Sequence, residues 1–376
     1  MKFLFIESFS IGSHALFANG LVNHSSHTID LIEMPGENFR WRMLGAALYM
    51  AENILAPDKF NQYDGVIVTD LFNLADFKAL MGSKRMGPKC PPIMVYFHEN
   101  QMTYPRPAGD KSVFMLGMIN ITTALAADRV LFNSTMHQEA FINAVPEFLN
   151  RGRDFTPKGI VEKIRQKSNV LYPGITLPPT SAVNFQKQAK TPLIIWNHRW
   201  GFDKNHQLFF NVLEKLQDQG IDFRLALMGE NFGKIPDEFF LAQKTFGDKI
   251  VAFGYVPSRT EYINWLRQGT IVISTAIQEN FGMSVIEAMI MGCIPLLPHR
   301  LSYPEILPKE FHDQFLYKNE YDLTEKLTRI ILDVTAYEET RDRLVEEMKS
   351  FLWENVIKDF DGVLEQLATL NTFKYN

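Results

Sequence analysis

Four charged residues in the second half of the chain are spaced for work on a phosphorylated ligand. Arg199 and Lys204 sit five apart in "IIWNHRWGFDKN", a loop that follows a short apolar run. Glu279 and Glu287 flank a corner in "STAIQENFGMSVIEAMIMGCIPLL", where an apolar strand pattern gives way to an apolar helix pattern ended by Gly292. Two cations at a strand end suit a diphosphate better than a single phosphate. A helix start offers the same anion free N–H groups and the positive end of a dipole. Gly282 lets a phosphate approach the backbone closely. One carboxylate is then placed for the hydroxyls of a ribose and the other for those of a second sugar. Plainer readings stand beside these. Ser284 and Glu287 have the spacing of a capping box, and Arg199 and Lys204 are also ordinary as solvated charges.

The elements that must position these residues read as a parallel α/β architecture, because short apolar runs alternate with longer helical patterns. In the first half the expected strands are "KFLFIES", "HTIDLIEM", "GVIVTD", "PIMVYFH", "RVLFNS" and "NVLYPG". The second half offers "PLIIWNH", "FRLALMG", "IVAFGY", "TIVISTA" and "CIPLLPH". The polar, proline-bearing Leu177–Thr191 between them reads as a linker. We therefore expect two doubly wound, Rossmann-like domains facing each other across a cleft, over residues 1–180 and 181–352. A closing helix over 353–376, apolar at Val356, Phe360, Val363, Leu364, Leu367 and Leu370, is expected to pack back on the first domain. In such sheets ligands bind beyond the carboxyl ends of the strands, where the charged clusters fall.

At 376 residues the chain is too long for one core. Its 46% hydrophobic and 22% charged content is that of an ordinary globular protein. "MKFLFIESFS" is apolar for only about five residues before Glu7, so it reads as a buried strand rather than a signal peptide or membrane span. Two cysteines, Cys90 and Cys293, suit a reducing compartment, and a cytoplasmic location is expected. The net charge of −5 is not that of a typical nucleic-acid binder, so an RNA partner needs a local patch. Residues 151–168, with six Lys/Arg and two acids, offer one, or else form an ordinary charged helix. "FRWRMLGAAL" offers another in Arg40, Trp41 and Arg42, able to stack on a base and hold phosphate, unless Trp41 is a helix anchor. Asp359 and Asp361 form a D-x-D in the last helix, off one face, and read as solvated surface. No metal site is expected. "FSIGSH" ends the first strand with Gly12, Ser13 and His14 but is not G-x-G-x-x-G, which argues against a nicotinamide enzyme.

R-x4-K followed by E-x7-E at these separations resembles the donor-site signature of retaining glycosyltransferases of the GT-B fold, the group 1 family. Closer still, "FRWRMLGAALYM", "YFHENQMTYP", "LFNS", "WNHRWGFDKN", "GYVPSRTEY", "VISTAIQENFG" and "LSYPEI" resemble the tRNA-queuosine α-mannosyltransferase family, in order from near residue 3 to about residue 310. The resemblance implies a nucleotide-sugar donor, GDP-mannose, with no cofactor or metal, and queuosine in tRNA (tRNA-Asp) as acceptor. It implies that Arg199 and Lys204 bind the diphosphate, Glu287 the ribose and Glu279 the transferred sugar. Asn280, Phe281, Gly282, Met283 and Ser284 would meet phosphate, and Gly229, Glu230, Tyr255 and Val256 the nucleobase. Gly12, Ser13 and His14 would lie near the donor phosphate. His98 would stand against the donor sugar, unless it merely closes a strand-end turn. Glu99 and Asn100, with Arg40, Trp41 and Arg42, would face the acceptor. Retention is implied, with the leaving phosphate taking the acceptor proton, so no protein nucleophile is needed. The rivals are a related transferase with another donor and a glycan or small-molecule acceptor, a nucleotide-sugar epimerase, and a silent nucleotide-sugar or RNA-binding protein.

Overall fold

The computed structural model describes residues 1–55, 60–84, 90–105, 112–177, 191–230 and 235–370. Most of the sequence-predicted linker therefore lies outside the described residues. The chain divides into two compact units: Met1–Thr176 together with Trp353–Asn376, and Leu177–Leu352.

Unit 1 holds a six-stranded sheet of β1 (Lys2–Ser10), β2 (Thr28–Pro35), β3 (Gly65–Thr69), β4 (Ile93–Phe97), β5 (Arg129–Phe132) and β6 (Ser168–Val170). The order is β2-β1-β3-β4-β5-β6, and every recorded pair is parallel. Parallel strands covered by helices on both faces must be apolar throughout, and β3 and β4 are buried at every residue. Alternation along β1 divides the core. Leu4 and Ile6 face one apolar cluster with Val66 and Val68, while Phe3 and Phe5 face a second with Ile67 and Tyr96.

The helices that carry the argument in unit 1 are α1 (Gly12–His24), α2 (Phe39–Tyr49), α3 (Ser112–Ala126) and α4 (Thr135–Asn150). Unit 2 contributes α5 (Arg259–Gln268) and α6 (Met283–Ile290), and the chain closes with α7 (Trp353–Thr369). Helix α7 belongs to unit 1, where Trp353, Ile357, Phe360, Leu364 and Leu367 complete the second cluster. Trp353 fits because two neighbours lack side chains. A Cβ on Gly20 would lie 2.0 Å from its indole, and one on Gly174 2.2 Å.

Unit 2 holds β7 (Leu193–Trp196), β8 (Arg224–Met228), β9 (Ile250–Gly254), β10 (Ile271–Ile273), β11 (Ile294–Pro298) and β12 (Leu316–Tyr317), in the order β12-β11-β10-β7-β8-β9. All eleven sequence-predicted strands are present. The twelfth, β12, has two residues and is too short to carry a pattern.

Three local expectations need correction. Helix α6 is capped by Gly282, whose φ of +103° no branched residue favours. The N-cap therefore lies two residues before Ser284, and Glu287 falls two residues too deep to complete a capping box. Asp361 is not simply solvated: it accepts hydrogen bonds from the Ser26 N–H (2.9 Å) and hydroxyl (2.7 Å) and from Ser25, and Phe360 beside it is buried. Of residues 151–168 only Ile160–Arg165 is helical, since the left-handed Arg153 and Phe155 break the chain into turns first. Among the described residues no helix is long and apolar enough to cross a membrane.

Candidate functional site

In unit 2 the chain winds outward from β7 through β8 to β9, then returns to the other side of β7 for β10, β11 and β12. Loops leaving β7 and β10 diverge at this switch point, where open parallel sheets bind ligands. Arg199 and Lys204 follow β7, and Glu279 follows β10. Backbone bonds stitch the two loops together: the Ile277 N–H donates to the Asp203 carbonyl (2.8 Å), and the Thr275 hydroxyl to the Lys204 carbonyl (2.7 Å). The Lys204 ammonium donates to the Gln278 carbonyl (2.8 Å) and Glu279 (3.1 Å) and lies 3.4 Å from Asp203. Asp203 also takes a bond from Arg199 (3.0 Å). Two cations thus interleave with two carboxylates. Burial works against charge on Glu279, but Lys204, through its charge and its hydrogen bond, holds the carboxyl below the usual range. Burial, then Lys204, brings His198 down to about 4 and keeps it neutral.

Beside this cluster α6 begins at Met283 with no side chain capping it. Glu287, buried one turn on, is held by Arg259 and by the Tyr262 hydroxyl (3.1 Å). Asn197 donates to the Tyr262 oxygen (2.9 Å) and to the Ser284 carbonyl (2.8 Å), tying the end of β7 to the helix start. Asn280 accepts from Gln278 (3.0 Å), and the Phe281 carbonyl accepts from Ser302 (2.8 Å). Met283 is half-buried. Gly229 and Glu230 follow β8, and Tyr255 and Val256 follow β9, its neighbour. A Cβ on Gly229 would lie 1.9 Å from the His198 carbonyl, so this loop packs directly on the β7 loop. Trp200 donates its backbone N–H to the Glu230 carbonyl (3.0 Å). Burial raises the Glu230 carboxyl, partly offset by Arg199. Tyr255 is exposed.

Unit 1 carries a different cluster at the carboxyl ends of β1, β3, β4 and β5. Glu7 is fully buried. One of its oxygens accepts from the Phe9 N–H (2.8 Å) and the Thr69 hydroxyl (3.1 Å), and the other lies 3.2 Å from His14 Nδ1. Gly12, left-handed at φ +52°, and the exposed Ser13 open α1, which delivers His14 against His98 with ring centroids 4.1 Å apart. Asp70 accepts the His98 N–H (2.8 Å), Asn133 donates to the His98 carbonyl (2.9 Å), and Asn133 in turn binds His137 (2.8 Å). Asn100 accepts the Met102 and Thr103 N–H groups (3.1 and 3.0 Å) and Glu99 accepts from Gln101 (2.7 Å), so both shape the turn after His98. Burial alone would lower His14, but Glu7 outweighs it and carries His14 up to about 9. Burial, with His14 and His137, pushes His98 well below the usual imidazole range. Burial lifts Asp70 to about 8 against the pull of His14. At neutral pH a cationic His14 therefore lies against a neutral His98, the rings tilted 41° to each other. Glu7, His14 and His98 offer ligand atoms within 4.8 Å of one another, the one group of metal-ligand spacing among the described residues. Arg40, Trp41 and Arg42 lie on α2, and Arg42 donates to the Pro35 carbonyl (3.3 and 3.2 Å).

Several residues of these clusters were not expected from the sequence. Asn197, Asp203, Arg259 and Tyr262 lie inside "WNHRWGFDKN" and "GYVPSRTEY", where no spacing sets them apart from their neighbours. Glu7 and Asp70 carried their own signal, as single acids inside and at the end of apolar strands.

Comparison with known proteins agrees with this architecture. A model of the tRNA-queuosine alpha-mannosyltransferase N-terminal region matches residues 2–175, and one of group 1 glycosyl transferases matches residues 180–351. A tRNA-queuosine alpha-mannosyltransferase of Drosophila melanogaster is 34% identical over 360 residues, covering 91% of this chain and 90% of the relative. Among solved structures, Anabaena HepE in complex with UDP and glucose superposes with a TM-score of 0.70 at 14% identity, covering 97% of this chain and all of that one. Sucrose-phosphate synthase from Thermosynechococcus elongatus gives 0.71 at 14% identity, covering 98% and 100%. These likenesses establish the GT-B fold. The chain is a glycosyltransferase, and it belongs to the tRNA-queuosine alpha-mannosyltransferase family.

Proposed function

We propose that this chain transfers mannose from GDP-mannose to queuosine in a tRNA, tRNA-Asp by resemblance, with retention of anomeric configuration. The observation that carries the reading is the Arg199–Asp203–Lys204–Glu279 network at the unit 2 switch point, beside the uncapped start of α6. Departure of the diphosphate builds negative charge on its oxygens. Arg199, Lys204 and the N–H groups around Gly282–Ser284 meet that charge, which is electrostatic catalysis by preorganised donors. Asn280 and Phe281 place that corner. Lys204 holds Glu279 ionised, ready to accept hydroxyls of the mannose, while Arg259 and Tyr262 aim Glu287 for the ribose. Gly229, Glu230, Tyr255 and Val256 take the guanine.

In unit 1 a neutral His98 is a fitting partner for a sugar hydroxyl, and His14, with Gly12 and Ser13, for an anionic oxygen. Glu99 and Asn100 shape the acceptor side. The acceptor hydroxyl passes its proton to the leaving phosphate oxygen, so neither Glu279 nor Glu287 acts as a nucleophile and the two-carboxylate scheme of glycosidases does not apply. Two cations and a helix start supply the charge that a metal would otherwise bring, so the reaction is proposed to run without one. A cytoplasmic location and the absence of a membrane partner complete the reading.

The test mixes purified protein, GDP-mannose and queuosine-containing tRNA and examines nucleosides by mass spectrometry. A hexose added to queuosine, lost in Glu279→Ala and Arg199→Ala, is the expected result. No gain from GDP-mannose, with release of nucleotide from another sugar donor, would sink the donor and acceptor assignments.

A further inference from the structure

The side chain of Trp41 on α2 is 61% exposed, which is unusual for an indole. It is nonetheless fixed in place. Four residues on, Gly45 presents bare backbone beneath it, and a Cβ there would lie 2.7 Å from the indole Cζ2 and 2.8 Å from Cε2. The ring is therefore shelved on the helix, and any larger residue at 45 would tilt it. Trp41 lines two adjoining hollows. One, of about 550 Å³, runs beside the edge strand β2 and is also lined by Glu33, Arg42, Tyr49 and Asn53. The other, of about 450 Å³, is formed by Asn38, Phe39, Arg40 and Trp41. The left-handed Asn38 opens α2 (φ +51°), and a widened π turn at Met50–Ile54 closes it, both departures that recur at working surfaces.

An aromatic shelf between two arginines is the arrangement that takes an unpaired nucleobase with its phosphates. A folded protein partner would call for a broader apolar face with its cations at the rim. We propose that the Trp41 shelf stacks an unpaired base of the acceptor RNA, distinct from the nucleoside that receives the sugar. Arg40 and Arg42 face the flanking phosphates, and Glu33 and Asn53 meet the base edge. The second base is distinct because α2 leaves β2, one strand outward from β1, which carries Glu7 and leads into α1 with His14. This rests on the reading that the acceptor is a tRNA and adds how a neighbouring nucleotide is held.

The experiment measures KM for tRNA and for GDP-mannose in Trp41→Ala, Trp41→Phe and Gly45→Ala, and the affinity of each for a fluorescently labelled queuosine-bearing RNA stem-loop. Loss of one stacked base corresponds to a roughly 5- to 150-fold rise in KM for tRNA in Trp41→Ala. KM for GDP-mannose and the melting temperature are expected to stay put. Trp41→Phe recovers most of the loss, and Gly45→Ala reproduces part of it with the indole still present. An unchanged KM for tRNA in Trp41→Ala overturns the proposal. So does an equal rise for both substrates, or a fall in melting temperature that accounts for the loss. If no tRNA is glycosylated by any variant, stem-loop binding decides: Trp41-dependent binding supports the shelf while the acceptor reading fails, and Trp41-independent binding overturns the shelf.

Discussion

The two units place polar clusters at the same topological position and build them on opposite principles. In unit 2 charges are compensated in alternation: Arg199, Asp203, Lys204 and Glu279 neutralise one another at 3.0–3.4 Å along a loop edge where Arg199 is exposed and the other three are largely covered. In unit 1 charge is mostly suppressed. His98 and His137 are held neutral by burial, Asp70 is lifted to about 8, and one ion pair, Glu7 with His14, sits under the rest. The first arrangement can reorganise, because an incoming diphosphate competes with Asp203 and Glu279 for the two cations. The second is rigid, because the ends of β1, β3, β4 and β5 are tied in series by buried bonds. A donor that arrives and leaves charged suits the first, and a fixed neutral partner for a hydroxyl suits the second.

The largest expected effect tests the compensated network. Glu279→Ala and Lys204→Ala are each expected to cost about 10²–10³ in kcat, the typical loss of one preorganised electrostatic contact. Because each residue holds the other, the double variant should cost far less than the product of the two. A multiplicative double variant would mean that the pair does not act as a unit. A Glu279→Ala enzyme with full kcat would remove unit 2 from the chemistry.

Next comes the suppressed cluster. His14 is raised to about 9 in the folded state against an ordinary 6.5, so its pairing with Glu7 stabilises the fold fully below pH 6.5. That contribution is lost as pH climbs to about 9. Asp70, also raised, keeps in the folded state a proton that the unfolded chain releases, so it too makes stability fall with rising pH, up to about 8. Glu7→Gln removes the partner of His14 while Asp70, Glu99 and His98 still face it. Urea denaturation at pH 6, 7.5 and 9 should show a wild-type advantage of at most about 3 kcal/mol at pH 6 that shrinks toward pH 9. An advantage constant with pH would mean that Glu7 acts through packing alone.

Arg259→Ala returns to unit 2. It leaves the buried Glu287 with the neutral Tyr262 hydroxyl as a hydrogen-bond donor and no opposite charge from Arg259. We expect a loss of about 1–3 kcal/mol in stability together with a raised KM for GDP-mannose and a nearly unchanged KM for tRNA. Arg259→Lys restores the charge but not the planar fork and should recover only part of it.

What the sequence made legible follows from the same contrast. Strands buried on both faces are continuous apolar runs, so β3, β4, β7, β10 and β11 could be read directly. The partly exposed β2, β6 and β9 showed shorter apolar stretches, and acids and bases just beyond the strands marked the candidate sites. Arg199, Lys204 and Glu279 were visible because loop cations and carboxylates at strand ends have few structural duties. Pairings were not visible. That Glu287 answers to Arg259 rather than to Ser284 depends on the backbone at Gly282, a φ value that no spacing reveals. That Glu7, His14 and His98 converge depends on strand order, which sets β1 between β2 and β3. Asp361 looked like surface because helical periodicity says which face is apolar, not what stands opposite its border.

The smallest expected effect concerns that border. Helix α7 comes from the end of the chain yet completes the unit 1 core, so its docking tests whether unit 1 is rigid as a whole or only at its strand ends. Apolar contacts through Trp353, Phe360 and Leu364 dominate, and Asp361 adds a polar latch to Ser25 and Ser26 at the far end of α1. Burial opposes ionisation of Asp361, but the bonds from Ser25 and Ser26 prevail and hold its carboxyl below the ordinary range. A lowered folded-state value means stability that is present above the ordinary carboxylate range and lost as pH falls through it. Asp361→Asn should therefore cost about 1 kcal/mol at pH 7 and less at pH 3, with kcat unaltered, measured by urea denaturation at the two pH values. If amide exchange in β1 and β3 rose as much as exchange in α7, the latch would belong to the rigid frame around His98. If only α7 loosened, the buried bonds at the strand ends would hold that frame without the last helix turn, and rigidity in unit 1 would be a property of its switch point.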